Sequence, residues 1–294
     1  MFYRRKVILA LLQLFDGQLE KIRLQKLLFL FTKQQEKAEY DFVPYKFGCY
    51  SYSAKADLTT MSAKGMLSED EKTYTKIDNT NYLTALKEPD RKLAQQIKLL
   101  YGKMDTKTLT KHTYTNFPYW ATKSEIAGKI LNQEELNKVV KNIPNSNKTI
   151  LFTIGYEGIS LEEYLNRLIK NDVKILIDVR NNPLSMKFGF SKTLLKKYCE
   201  SLNIQYMHFP DVGIQSEQRQ ELNSQSDYDK LFSIYRKNNL TKTIATQNII
   251  LNLLSEHKRI ALTCFEANIC QCHRKPLAES IEHLPGFKYE IKHI

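Results

Sequence analysis

Apolar residues follow two rhythms along the chain, and the change comes near its middle. In the first half the spacing is helical. Val7, Leu11, Leu14 and Phe15 share one face, and Leu24, Leu27, Leu28 and Phe31 share another. Asp16-Gly17 separates the two sets, so residues 6–35 read as two helices, with Lys21, Arg23, Lys26 and Lys33 spread around the second. Residues 42–53 are aromatic and poor in helix formers, which predicts a loop or short strand. Residues 54–64 return to helix, with Gly65 as the C-cap. Thr73–Ile77 reads as a short strand, like the wing of a winged helix. Residues 89–103 and 134–140 read as helices, with an aromatic-polar loop over His112–Tyr119 between them. Ile143–Lys148 has linker composition and places a boundary between domains 1–147 and 148–294.

Beyond that boundary the period switches. Lys148–Ile154, Val173–Val179, Ile204–His208 and Arg259–Phe265 are β-branched and apolar runs of strand length. Phe287–Ile291 adds an edge strand. Between them lie amphipathic helices at Leu161–Lys170, Ser191–Leu202, Asp227–Asn238, Thr241–Ser255 and His273–His283. Strands alternating with helices imply a mainly parallel sheet. The expected fold is therefore α/β. A Rossmann-like three-layer domain follows a mainly helical, winged-helix-like N-terminal domain.

Composition narrows the class. Hydrophobic residues are 42% and charged residues 26%, with 10 Gly and 8 Pro, so global disorder and collagen-like sequence are excluded. No run of about 18 uncharged apolar residues occurs, so no membrane span is expected. Met1–Lys6 imitates the basic front of a signal peptide, but Val7–Phe15 is short and no small-residue cleavage site follows. A cytoplasmic chain with no membrane partner is expected. Five cysteines, Cys49, Cys199, Cys264, Cys270 and Cys272, form no disulfide framework in a chain of 294 residues and fit reduced thiols.

Charge adds a partner. The net charge is +12, and residues 1–150 hold 25 Lys and Arg against 16 Asp and Glu. A basic surplus of this kind attracts phosphate backbones, though solvated lysines on ordinary surfaces give the same count. Tyr45, Phe47, Tyr50 and Tyr52 interleave with Lys46 and Lys55, a mixture that nucleic-acid surfaces use and that a small packed core also produces. Lys26, Tyr45, Lys46, Tyr50 and Lys55 are the candidate nucleic-acid contacts, with DNA favoured over RNA and a protein partner as the alternative.

In open α/β sheets, ligands bind beyond the carboxyl ends of the strands. Four strands here end in polar residues. The first ends in Gly155, Tyr156, Glu157 and Gly158, either a loop approaching a phosphate or sugar or a plain tight turn. The second ends in Asp178 and Arg180, two apart and on one side, either ligand groups or a structural ion pair. The third ends in His208, a candidate general acid or base. The fourth ends in Cys264 and Glu266, followed by Cys270, Cys272, His273 and Arg274. Parallel strands would bring all of these to one rim. Zinc at Cys264, Cys270, Cys272 and His273 is not expected, because the spacing matches no common ribbon or finger. A nucleophilic cysteine at the helix start, or an anion corner made by His273 and Arg274, are the other readings.

Taken together, Thr153–Gly158, Leu176–Ser185, Tyr206-x-His208-x-Pro210-x-Val212-Gly213 and Cys264-Phe265-Glu266-x5-Cys272-His273-Arg274 resemble the bacterial family called domain of unknown function 488, over about residues 150–280. The resemblance implies a Rossmann-like fold with no agreed reaction. By position it implies a site lined by Asp178, Arg180, Glu266, Cys272, His273 and Arg274. Residues 20–68 look like the Panacea (SocA-like antitoxin) type of domain. The matching pieces are Leu24–Phe29, Tyr45-Lys46-Phe47-Gly48-x-Tyr50-Ser51, Asp57-Leu58 and Lys64–Leu67, with Cys49 where a proline is usual. That likeness implies a helical domain from toxin–antitoxin or phage-defence systems.

The expected function is an enzyme directed at a nucleic acid or nucleotide, hydrolysing a glycosidic or phosphate-ester bond. Asp178, Glu266 and His208 are its candidate catalytic groups. Gly155, Tyr156, Glu157, Arg180, Cys272, His273 and Arg274 are its candidate ligand contacts. The alternative is a non-catalytic DNA- or protein-binding module that senses a small anion. A thiol-dependent sulfurtransferase ranks last. No cofactor is expected.

Overall fold

The chain divides into two units, Met1–Ile143 and Pro144–Ile294, each built on its own buried apolar residues. The computed structural model describes residues 1–215, 218 and 222–294.

The N-terminal unit runs α1 (Tyr3–Leu14), β1 (Gln18–Glu20), α2 (Lys21–Gln34), β2 (Val43–Tyr45), β3 (Gly48–Tyr50), α3 (Tyr52–Ala63), β4 (Leu67–Glu69), β5 (Thr73–Lys76), α4 (Glu88–Tyr101), α5 (Thr106–Asn116), α6 (Ala127–Ile130) and α7 (Gln133–Lys141). Both α1 and α2 are buried nearly all round, over Val7–Leu12 and Leu24–Thr32, so they form the centre of this unit. The Phe29 ring meets Phe42, Phe117 and Trp120 edge-on. An antiparallel sheet of order β1-β5-β4 and a β2-β3 hairpin complete it. The aromatic-polar segment expected as a loop over His112–Tyr119 is mostly helix. Asp105 caps α5 by accepting from the Thr108 N–H at 2.7 Å, and the buried face is Leu109, Thr110, Thr113 and Tyr114. Threonines at the inward positions hid the helical period.

The C-terminal unit runs β6 (Ile150–Gly155), α8 (Leu161–Lys170), β7 (Ile175–Asp178), α9 (Lys192–Glu200), β8 (Gln205–His208), α10 (Gln225–Tyr235), α11 (Ile244–His257), β9 (Arg259–Cys264), α12 (Arg274–Glu282) and β10 (Glu290–His293). The five strands form one parallel, Rossmann-like sheet of order β10-β6-β9-β7-β8. Every residue of β6, β7 and β9 is buried, as expected where helices cover both faces. Alternation puts Leu151, Ile175, Ile177, Ile260 and Leu262 in one cluster with α10, α11 and α12. On the opposite face Thr263 accepts a hydrogen bond from Tyr164 of α8 at 2.7 Å. The last strand begins three residues later than its sequence pattern suggested and pairs with β6. No helix among the described residues is long and apolar enough to cross a membrane.

Candidate functional site

Strand register brings the polar strand ends level. Gly155 pairs with Cys264 across β6 and β9, and Asp178 pairs with Thr263 on one side and His208 on the other. The four segments singled out in the sequence therefore share the carboxyl rim of the sheet.

Asp178 and Arg180 close on each other there. The guanidinium donates to both carboxylate oxygens, from Nε at 2.8 Å and Nη2 at 2.5 Å. Asp178 also accepts from Tyr206 Oη at 2.6 Å. Arg180 Nη1 donates to Tyr156 Oη at 2.7 Å and to the Phe190 carbonyl at 2.9 Å. Asp178 is fully buried and Arg180 is 5% exposed. The geometry is that of an ion pair, and internal hydrogen bonds tie both groups into the rim. His208 is similarly engaged. Its Nε2–H donates to the Arg180 carbonyl at 2.8 Å, and Nδ1 accepts from Lys192 at 3.0 Å. Both ring nitrogens are thus in use.

The glycine loop is laced to the loop after β9. The N–H groups of Tyr156 and Glu157 both donate to the Phe265 carbonyl, and the Glu157 carboxylate accepts from the Ala267 N–H at 2.9 Å. Lys187, whose ammonium is destabilised by burial, donates to the Tyr156 carbonyl at 2.7 Å. The close approach expected at Gly155 is made by the protein's own Glu266 carbonyl: a Cβ there would lie 2.0 Å from that oxygen.

Cys264, Glu266, Cys272 and His273 form the centre of this rim. Their Sγ, carboxylate and imidazole donor atoms all lie within 4.8 Å of one another. The Cys264 thiol donates to Glu266 Oε2 at 3.1 Å and lies 3.6 Å from His273 Nδ1. His273 Nε2 is 3.0 Å from the Val179 carbonyl, which fixes the proton there and turns Nδ1 into the cluster. Arg274 donates from Nε to Cys272 Sγ at 3.0 Å and from Nη2 to the Glu266 carbonyl at 2.5 Å. Burial, reinforced by the Cys264 thiol, pushes the Cys272 thiol well above the usual range. The four residues gathered differ from the four weighed as zinc ligands in the sequence. Cys270 is exposed and outside the group, and Glu266 takes its place.

Glu266, half-buried, and His273 also form part of the wall of a cavity of about 260 Å³, with Gln271, Tyr228 and Phe232 in the same lining. Residues 160–281 match the family described as Domain of unknown function DUF488. That segment is rather less than half of the chain. No curated protein matches the chain. The DUF488 segment includes Asp178, Arg180, His208 and the whole cysteine cluster. Gly155–Gly158 precede it, yet they are hydrogen-bonded into its rim. Sequence reasoning singled out no role for Phe190, Lys187 and Lys192, which support the rim from segments with no polar motif of their own.

The N-terminal candidates lie outside the DUF488 match and have mixed surroundings. Lys26 is buried, with its ammonium donating to the Phe47 carbonyl and 3.6 Å from Cys49 Sγ; burial lowers its pKa. Lys46 is exposed and pairs with Glu125 at 3.3 Å, and Lys55 pairs with Glu69 at 2.7 Å. Tyr45, Tyr50 and Tyr52 pack on one another with ring centroids 5.1–5.8 Å apart. Tyr45, Tyr50 and Phe47, with Lys21, Lys26 and Lys72, line a cavity of about 490 Å³. Gly48 at its edge has φ +91°, and a Cβ there would lie 2.4 Å from the Tyr114 ring. Only glycine fits this corner.

Proposed function

We propose that the protein is a hydrolase-type enzyme acting on a nucleic acid or a nucleotide, with its chemistry at the rim of the C-terminal unit. The observation that carries this reading is Glu266. It is a half-buried carboxylate on a cavity wall beyond the carboxyl ends of a parallel sheet, with His273 beside it. In this role Glu266 takes the proton of an attacking water as the glycosidic or phosphate-ester bond breaks. Asp178, Arg180, His208 and Arg274 are then positioning residues, because internal hydrogen bonds occupy them. Lys192, exposed beside His208 at the same strand ends, supplies positive charge for a phosphate.

The basic N-terminal unit holds the polymer in this reading, DNA before RNA. We read it as a winged-helix domain of the Panacea (SocA-like antitoxin) type, working in defence or toxin–antitoxin biology. Support comes from the α1-β1-α2-α3-β4-β5 order, with the β2-β3 hairpin between α2 and α3, and from the β1-β5-β4 sheet. The cavity walled by Tyr45, Phe47 and Tyr50 beside three lysines suits a flat base with an attached phosphate.

A second reading is a sensor of a small anion with no catalysis. It is favoured by the occupation of Asp178, Arg180 and His208 in internal bonds. One experiment separates the two. Wild-type and Glu266→Gln proteins are incubated with single- and double-stranded DNA, RNA and free nucleotides, and released bases, phosphate and shortened strands are separated chromatographically. The enzyme reading expects products from the wild type and at least a hundredfold loss in the variant, the lower range of a general-base contribution being about 10². Ligand recovered unchanged after binding to both proteins overturns it in favour of the sensor.

A further inference from the structure

We infer that Cys264, Cys272, His273 and Glu266 bind a divalent metal ion of the zinc class. Three ligands come from the buried end of β9 and from the buried segment leading into α12, and Glu266 closes the fourth position from the cavity side. Zinc–ligand lengths of about 2.3 Å to sulfur and 2.0–2.2 Å to nitrogen or oxygen require donor-to-donor edges of about 3.4–3.8 Å in a tetrahedron. The Cys264 Sγ to His273 Nδ1 separation is already 3.6 Å. The whole donor set lies within 4.8 Å, so adjustment of side chains alone closes it on an ion. At 3.1 Å the Cys264 Sγ to Glu266 contact is a hydrogen bond, and it opens when the thiol proton leaves.

The surroundings match a metal centre more closely than they match a packed thiol pair. His273 Nε2 is held on the Val179 carbonyl, the arrangement that orients a ligating imidazole and leaves its other nitrogen for the metal. Arg274 Nε lies 3.0 Å from Cys272 Sγ and sets a fixed positive charge beside the sulfur. Two thiolates, one carboxylate and a divalent cation carry one net negative charge. The 2%-exposed Arg274 guanidinium neutralises it inside the fold. On binding, each thiol passes its proton to solvent and each sulfur gains a bond to the metal, with no change of oxidation state. Soft sulfur with imidazole selects zinc-like ions over magnesium or calcium. Glu266, on the cavity wall, is the one ligand a small molecule reaches, and only when displaced from the metal is its carboxylate free for the water-activating role proposed above.

The test uses the full-length protein, purified under reducing conditions without added chelator. Elemental analysis is followed by stripping and titration with Zn²⁺ and then Co²⁺. Stoichiometric zinc, and a cobalt form with thiolate-to-metal charge-transfer absorption and tetrahedral d–d bands, are expected. Cys270→Ser keeps that spectrum. Cys272→Ser and His273→Ala lose it, and Glu266→Gln keeps the charge-transfer bands while its d–d bands shift. If the ligand variants do not fold, the wild-type cobalt spectrum decides by itself. A reduced wild type that holds no zinc and gives no charge-transfer absorption overturns the site, as does loss of the spectrum in Cys270→Ser. A Cys264–Cys272 disulfide that forms equally fast with and without Zn²⁺ overturns it too. No substrate enters the measurement, so this inference and the hydrolytic reading fail separately.

Discussion

Gly155 carries no side chain, and that absence decides how the rim is built. Its φ is not in the left-handed region, so the constraint is contact alone: a methyl group would press on the Glu266 carbonyl and come within 2.9 Å of Arg274 Nη2. Gly155→Ala is expected to cost about 1–3 kcal/mol in urea unfolding, the usual range for overpacking a filled site. It should also displace Glu266 and weaken metal binding. The sequence marked this glycine as a place of close approach but left open what approaches. The partner lies more than 100 positions further along the chain, and no local pattern names it. Asp178 and Arg180 were legible in the same partial way. Their i, i+2 spacing on a strand predicted a common side. Their sealing depends on Tyr156, just past the end of β6, and Tyr206 of β8. Removing one member of such a buried pair typically costs about 3–5 kcal/mol. Arg180→Met, which leaves Asp178 charged and unpaired, should therefore lower the denaturation midpoint far more than an exchange at exposed Lys46.

Among the elements, length and local chemistry governed what could be read in advance. The buried strands β6, β7 and β9 stand out because their cores are uninterrupted apolar runs. β1 and β4, three residues each, exist because β5 supplies their hydrogen bonds, to β1 from more than 50 residues further along, and three residues hold no period to detect. Helix α5 escaped because threonine, not leucine, fills part of its inward face, while its cap was in plain view at Asp105. That cap gives a pH-dependent expectation. The Thr108 N–H holds the Asp105 carboxyl below its ordinary pKa. A group depressed in the folded state stabilises fully above its unfolded value and loses that contribution as pH falls through the folded one. Asp105→Ala should therefore lower the thermal midpoint at neutral pH, with the difference from wild type shrinking towards zero in strong acid. Paired melting curves at the two pH values check it.

The whole chain is lopsided in charge, with most of the +12 surplus in its first half. If that surplus meets phosphates, DNA affinity measured by fluorescence anisotropy should fall steeply and linearly on a log–log plot against salt, by about 0.9 per phosphate neutralised. A flat salt dependence would point to protein as the partner. The surplus was visible in the composition. Its local use was not, because Lys26 is buried and Lys46 and Lys55 sit in ion pairs. The lacing of Tyr156 and Glu157 to Phe265 and Ala267 has one more consequence, for the order of events during synthesis. Glu157 and Ala267 are 110 residues apart, and Cys272 and His273 come later still. Contacts of such long range close late, after the entropy of a large loop has been surrendered. A chain being synthesised thus carries β6, β7 and β8 long before it carries a rim, and the four-residue cluster is complete only once His273 has been made.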